Sequence, residues 1–423
     1  MTTPRSIMRI SDERNFFQGN KPFELTKDYG SPLYVYNERI LRQKCREMKS
    51  LVAYPNFKVH YSAKANSSLA LLQIIRSEGL SIDAMTPGEV YAELAAGYTQ
   101  DRIFYVSNNM SEFEMKYVIE QGILISVDSI AQLEQLGRLN PGSNVAVRFN
   151  PGVGAGHHDK TITAGDNTKF GVENTPENIS KVKEVCRNYN LTVVGVNMHI
   201  GSHFMNTDSY MQSSDHLLEI AKNFDDLSFI DLGGGFGIPY MKQARQQGIN
   251  LGNLGNKLTE FMHNASKEYG KQLEFKIEPG RYIVAESAVI LGNVRDIKQS
   301  YGTKYVGTDI GFNVLMRPVM YDSHHDIEVF SANDDCSAHD ETVTVTGNIC
   351  ESGDILARAR MLPKMSEGDI ICVMDAGAYG HSMSSNYNNR LRPAEVLIRE
   401  SSEVALIRER DTMEDLVAKY RLL

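Results

Sequence analysis

From about residue 58 to residue 280 the chain alternates eight short β-branched or apolar runs with longer stretches of helical character. Few folds accommodate that rhythm. The runs are Val59–Lys64, Leu80–Thr86, Arg102–Ser107, Ile123–Ser129, Val145–Pro151, Val193–Ile200, Phe229–Gly234 and Leu273–Pro279. Among the intervening segments, 68–78 carries Leu69, Leu72 and Ile75 at the spacing of a one-sided helix. The segment 87–96 opens on a capping Thr86, a proline in the first turn and Glu89 three residues after the threonine. Strands that alternate with helices form parallel sheets, and eight of them predict a closed (β/α)8 barrel ahead of an open doubly wound sheet.

Polar residues support the barrel. Lys64, Asp83, Asp128, Arg148, His199, Asp231 and Glu278 each fall in the later part of a predicted strand. Such a barrel gathers its catalytic groups at the carboxyl-terminal rim, and seven together make chance a poor account.

After about residue 285 the texture changes. Ala288–Val294, Glu341–Thr346, Asp369–Met374 and Ala394–Ile398 read as strands with turns between and little helix until the end, which predicts a separate β domain. The run Ser31-Pro-Leu-Tyr-Val-Tyr36 reads as a strand ahead of the barrel that joins this sheet. With 423 residues available for two cores, the expected division is a joining segment at 1–37, a barrel at 38–285 and a C-terminal β domain at 286–423.

A net charge of −9, with no block of lysine and arginine, argues against a nucleic-acid surface. The first eight residues lack the apolar core of a signal peptide, and no run approaches membrane-spanning length. Five cysteines, none spaced as CxxC, point to a reducing compartment without disulfides or structural zinc, hence a cytoplasmic location. His157, His158, His203, His324 and His325 match no metal-site spacing, and no bound metal is expected.

Several motifs bear chemistry. In Val59-His-Tyr-Ser-Ala-Lys-Ala-Asn66, Lys64 leaves the strand where a loop begins. A buried lysine there can lose its proton and attack a carbonyl to form a Schiff base; the bland alternative is a surface lysine closing an ordinary strand. Phe229-Ile-Asp-Leu-Gly-Gly-Gly-Phe-Gly237 ends a strand in glycines that let backbone N–H groups approach an anion. The spacing is wrong for a dinucleotide and suits one phosphate, although a tight turn alone also explains three glycines. In Lys276-Ile-Glu-Pro-Gly-Arg281, Glu278 can pair with a protonated ring nitrogen while Arg281 grips a carboxylate or phosphate; the alternative is a turn with a surface ion pair. His199-Ile-Gly-Ser202 can place a histidine on a flat ring and a hydroxyl on its phosphate. In the β domain, Cys350-Glu-Ser-Gly-Asp354 offers a proton donor or else a buried free cysteine. Asp375-Ala-Gly-Ala-Tyr379 and Arg317-Pro-Val-Met-Tyr321 read as loop or packing segments when taken alone.

In series, YSAKAN, HIGSH, GGGFGIPY, EPGR, RPVMY, CESGD and DAGAYGHSMSSNYN resemble the fold-type III pyridoxal-phosphate decarboxylases, and among them the diaminopimelate decarboxylase family. The likeness runs from roughly Pro32 to Leu397. It implies a (β/α)8 barrel of the alanine-racemase type followed by a β domain, pyridoxal 5′-phosphate as cofactor, and a homodimer with shared active sites. Lys64 would carry the cofactor, His199 stack on its ring and Glu278 hold the ring nitrogen protonated. Gly233, Gly234, Gly235, Ser202 and Tyr379 would bind its phosphate, with Asp83, Arg148, Gly280 and Arg281 completing the cofactor site. Arg281, Arg317, Tyr321, Tyr379 and Glu351 would meet the substrate, and Cys350 and Glu351 would enter from the partner subunit, Cys350 as proton donor. The chain departs from the family pattern at Thr163-Ala-Gly165, where many members have Thr-Gly, and at Leu391, where proline is usual.

The same residues select a reaction. A carboxylate at Glu278 favours the charged ring and so decarboxylation over racemisation. Arg281 and Arg317 suit a distal carboxylate and Glu351 a distal amine, which favours meso-diaminopimelate with L-lysine as product over a lysine, ornithine or carboxynorspermidine-type substrate of either hand. A non-catalytic pyridoxal-phosphate protein is the reading from a different class.

Overall fold

The structure, a computed structural model, describes residues 9–156, 158–166, 168–331 and 340–423. Residues 1–8, read above for a signal segment, and His157 lie outside the described residues. The chain divides into two compact units, Arg42–Ile238 with Gly248–Ile283, and Met1–Leu41 with Pro239–Gln247 and Val284–Leu423.

After β1 (Leu33–Asn37), the first of these units forms a closed parallel barrel. Its strands are β2 (Phe57–Ser62), β3 (Ser81–Ala84), β4 (Ile103–Val106), β5 (Leu124–Val127), β6 (Asn144–Asn150), β8 (Thr192–Asn197), β9 (Phe229–Asp231) and β10 (Glu274–Ile277). The two-residue β7 (Val172–Glu173) extends the end of β6. Each strand pairs with its successor, and β10 returns to β2 to close the ring. Inside, Phe104 meets Phe229 edge-on at 5.5 Å between ring centres, filling the barrel with side chains rather than water. Helices cover the outside. Leu69–Ser77 buries Leu71, Leu72, Ile74 and Ile75. Pro87–Ala95 starts as the sequence predicts, with Thr86 accepting the Glu89 N–H, while the Glu89 carboxylate reaches back to the N–H of Met85.

One strand boundary is corrected. Pairing of β2 with β3 runs out at Ser62 opposite Asp83, so Lys64 lies beyond the strand in a single 3₁₀ turn, Ala63–Ala65.

The other unit is a nine-stranded sheet of β1 with β11 (Ala288–Ser300), β12 (Thr303–Thr308), β13 (Ile327–Phe330), β14 (Asp340–Thr346), β15 (Ile355–Pro363), β16 (Ile370–Val373), β17 (Ala394–Ile398) and β18 (Val404–Arg408). β1 sits centrally, antiparallel to β11 and parallel to β17, so the strand that precedes the barrel in sequence completes this sheet. One face packs Leu33, Val35, Val289, Leu291, Val396 and Ile398 against Phe16, Phe17 and Leu25. Four strands, β12, β13, β15 and β18, are additions to the sequence reading: β13 has only four residues, and β15 (ILARARMLP) interleaves arginines that blur its alternation. A short helix, Arg317–Tyr321, also breaks the expected all-strand texture. Among the described residues no helix is long and apolar enough to cross a membrane.

Candidate active site

Parallel register brings the barrel's polar residues to one rim. Asp83 and Asp231 are late in their strands, and Glu278, His199, Asp128 and Lys64 lie one or two residues past theirs. The Lys64 Nζ stands 3.6 Å from Asp83 Oδ2, with Lys64 half-buried and Asp83 buried. The same oxygen accepts the Ser62 hydroxyl at 2.8 Å. Burial pushes the Asp83 carboxyl up, and the Lys64 cation opposes it.

Three buried carboxyls meet here. Glu278 is raised well above the usual carboxylate range, first by burial, then by Asp231 and Asp83. Its Oε1 has no hydrogen-bond partner among the described residues, and neither has Asp231 Oδ2. Like charges crowded into one buried site disfavour ionisation, so Asp231 and Asp83 add to the effect of burial on Glu278. Asp231, pushed up to about 6 mainly by burial, also accepts the Gly233 N–H at 2.9 Å. Beneath them Lys276 is buried with its ammonium 3.5 Å from the Phe229 ring centre.

The glycine run is dictated by space. A Cβ on Gly234 would sit 1.9 Å from the Glu278 carbonyl oxygen; one on Gly235, at φ +106°, would sit 2.4 Å from that of Gly201. The Gly234 N–H donates to His199 Nδ1 at 3.1 Å, which places the proton of the neutral imidazole on Nε2. Burial, Lys64 and Arg148 hold that imidazole well below its ordinary pKa, hence neutral. Arg148 is buried, 3.7 Å from Asp128 and with its guanidinium 4.6 Å over Phe170. Arg281 donates from Nη2 to the Ser202 hydroxyl at 2.8 Å, tying the EPGR and HIGSH motifs together; Gly280 passes 3.0 Å from the Ser62 side chain by the same measure of an added Cβ.

The remaining site candidates belong to the β unit. Arg317 is buried, with Nη1 2.7 Å from His325 Nε2 and its guanidinium 4.4 Å over Tyr240; Tyr321 ends the same helix, half-buried. Tyr379 is half-buried in the left-handed region at φ +55°. Cys350 is exposed, unlike the buried Cys45, Cys186 and Cys372. Glu351, also exposed, accepts the Tyr387 hydroxyl at 2.5 Å. Asp354 holds that loop by accepting the N–H groups of Phe312 and Ile349, each at 2.7 Å.

Three contributors escaped the sequence reading. Asp231 was placed on the rim without a role, although it stands two residues before the glycines. Asp354 was read only as part of CESGD, and His325 only as a metal candidate that failed on spacing. Of the other described histidines in that set, His203 meets the Ile238 carbonyl and His324 meets Asp326.

The residues fit pyridoxal phosphate. Lys64 supplies an amine beside a buried carboxylate, Glu278 offers an unpartnered buried oxygen suited to a protonated ring nitrogen, and the glycine run leaves room no side chain could share.

The chain is similar to known proteins over most of its length. Residues 38–285 match the family described as pyridoxal-dependent decarboxylase, pyridoxal binding domain. A diaminopimelate decarboxylase from Methanothermobacter thermautotrophicus is 41% identical over 410 residues, 94% of each chain. A crystal structure of a diaminopimelate decarboxylase superposes with a TM-score of 0.87 at 33% identity, covering 94% of this chain and 95% of that one. That of the Helicobacter pylori enzyme complexed with L-lysine does so with a TM-score of 0.84 at 28% identity, over 96% and 98%.

Proposed function

The chain belongs to the diaminopimelate decarboxylases within the pyridoxal-dependent decarboxylase family, and on that premise we propose that it converts meso-2,6-diaminopimelate to L-lysine and CO2. The observation that carries the reading is the buried, unpartnered Glu278 Oε1 on the same rim as Lys64. Bound there, pyridoxal phosphate supplies an electron sink for the bond to the departing carboxylate.

The chain's own residues supply the rest. The Lys64 amine would hold the cofactor, and Asp83 beside it keeps that nitrogen in place. Glu278 would keep a proton at the cofactor's ring nitrogen, which favours carbon–carboxylate cleavage over racemisation. His199, neutral and fixed by the Gly234 N–H, would stack on the cofactor ring. Gly233, Gly234, Gly235, Gly280, Ser202 and Arg281 would hold the phosphate, Tyr379 of the β unit would add its hydroxyl, and Arg148 adds positive field from within the rim. Arg281, Arg317 and Tyr321 take the substrate's retained carboxylate, and Glu351 its amine. Cys350, exposed on its own subunit, reaches the partner's site and delivers a proton to the α carbon. The working enzyme is thus a homodimer, and its setting is the cytoplasm.

Three measurements test this. The purified protein should absorb in the near-visible, and Lys64→Ala should abolish that band. CO2 release should be fastest from meso-diaminopimelate; equal rates on lysine or ornithine would overturn the substrate. For the dimer, mixing Lys64→Ala chains with Cys350→Ala chains should regain part of the activity, and no regain refutes the shared site.

A further inference from the structure

Arg317 is an arginine whose aim matters and whose surroundings are built. It is 1% exposed, opens a five-residue helix, and its guanidinium is flanked by two rings. Tyr240 lies under it at 4.4 Å, and His325 meets its Nη1 at 2.7 Å. The second imidazole nitrogen, His325 Nδ1, lies 2.8 Å from the Met374 carbonyl oxygen. A carbonyl only accepts, so Nδ1 carries the hydrogen. An arginine only donates, so Nε2 must be the bare nitrogen. Both bonds therefore require one tautomer of a neutral ring, and His325 is itself 2% exposed. Tyr240 packs edge-on against the same imidazole, 5.2 Å between centres, so the ring can neither flip nor swing without breaking three contacts. Ser323 adds a long hydroxyl contact to Nη2 at 3.4 Å.

A guanidinium recognises a carboxylate through paired N–H groups in a fixed plane, and the value of that match is lost when the plane tilts. Here the plane is set by Tyr240 below and the imidazole at one edge. We infer that His325 is a positioning and specificity residue: its bare Nε2 orients Arg317 so that the guanidinium meets a ligand's retained carboxylate, and it thereby selects diamino acids that keep a carboxylate over simple diamines. This rests on the reading that Arg317 contacts that carboxylate.

The test uses the holoenzyme and two probes that differ by one carboxylate, L-lysine and 1,5-diaminopentane, with binding followed by calorimetry and inhibition. His325→Leu should weaken lysine roughly 10- to 100-fold, the loss of one hydrogen bond to a charged group, and leave diaminopentane within threefold. KM for diaminopimelate should rise by a similar factor with kcat changed less, and the cofactor band should stay. His325→Gln, whose side-chain oxygen can accept from Arg317 while its NH2 donates to Met374, should restore most of the lysine affinity. If His325→Leu does not fold, His325→Asn, too short to span both partners, carries the same expectation. Unchanged lysine affinity, equal loss of both probes, or no rescue by glutamine would overturn the inference. Arg317→Ala separates the two layers. If it weakens lysine while His325→Leu does not, only the positioning role fails; if it leaves lysine unaffected, the reading of Arg317 as a carboxylate contact fails.

Discussion

Gly234→Ala tests the architecture of the rim with a single methyl group. The added carbon would stand 1.9 Å from the backbone oxygen of Glu278, where ordinary contact begins near 3.4 Å, so the two segments must part by about 1.5 Å. The obstacle is main chain, and no rotamer relieves it. Gly234 is not in the left-handed region, so the effect is one of space alone. Two hydrogen bonds lie in the path of that displacement, Gly234 N–H to His199 Nδ1 at 3.1 Å and Glu278 N–H to the Gly233 carbonyl at 2.9 Å. At about 1 kcal/mol each, their loss destabilises the barrel by roughly 2 kcal/mol. The functional loss is larger, because a misplacement of about 1 Å in a positioned catalytic group costs on the order of 100-fold. We expect the variant to fold, to bind pyridoxal phosphate roughly 10- to 100-fold more weakly in a spectroscopic titration, and to lose about 100-fold in kcat/KM. Gly252→Ala is the control: it lies in the helix Leu251–Tyr269 with its nearest neighbour at 3.6 Å, and should be neutral or slightly stabilising. Cofactor affinity within threefold of the unaltered protein for Gly234→Ala would refute the spatial argument.

Two further expectations concern the buried carboxyls. Glu278→Gln keeps the shape but removes the charge, so turnover should fall roughly 10- to 100-fold. Thermal stability should hold or rise, because the amide can donate to the unpartnered Asp231 Oδ2; a fully active Glu278→Gln enzyme would sink the ring-nitrogen role. Asp231 has its folded pKa raised to about 6 from 3.8, so its stabilising contribution is complete below about pH 4 and is lost as pH rises through about 6. Asp231→Asn, measured by urea unfolding without cofactor, should therefore gain stability relative to the unaltered protein between about pH 4.5 and 7.5; a flat or falling difference would contradict the burial argument.

The legible parts of this protein were those whose information is local. Each barrel strand carries its own apolar run, and Thr86, Pro87 and Glu89 announce a helix start within four residues. The β unit was harder to read. Short β13 and arginine-bearing β15 hold their place through neighbours on the sheet rather than through a pattern of their own.

From the sequence alone follow the alternation that makes a barrel, the lysine and carboxylates at its strand ends, and the glycines beside them, because a side chain's position along a strand fixes which end of a parallel barrel it reaches. Tertiary structure alone decided how those groups act on one another. It buried Asp231 and Asp83 near enough to Glu278 to push its carboxyl up, set the proton of His199 on Nε2 through a glycine N–H, and gave Arg317 an imidazole edge to rest on. Such pairings turn on contacts a few ångströms long between segments that join only after the chain has closed, and buried charge is governed by surroundings that no linear spacing records.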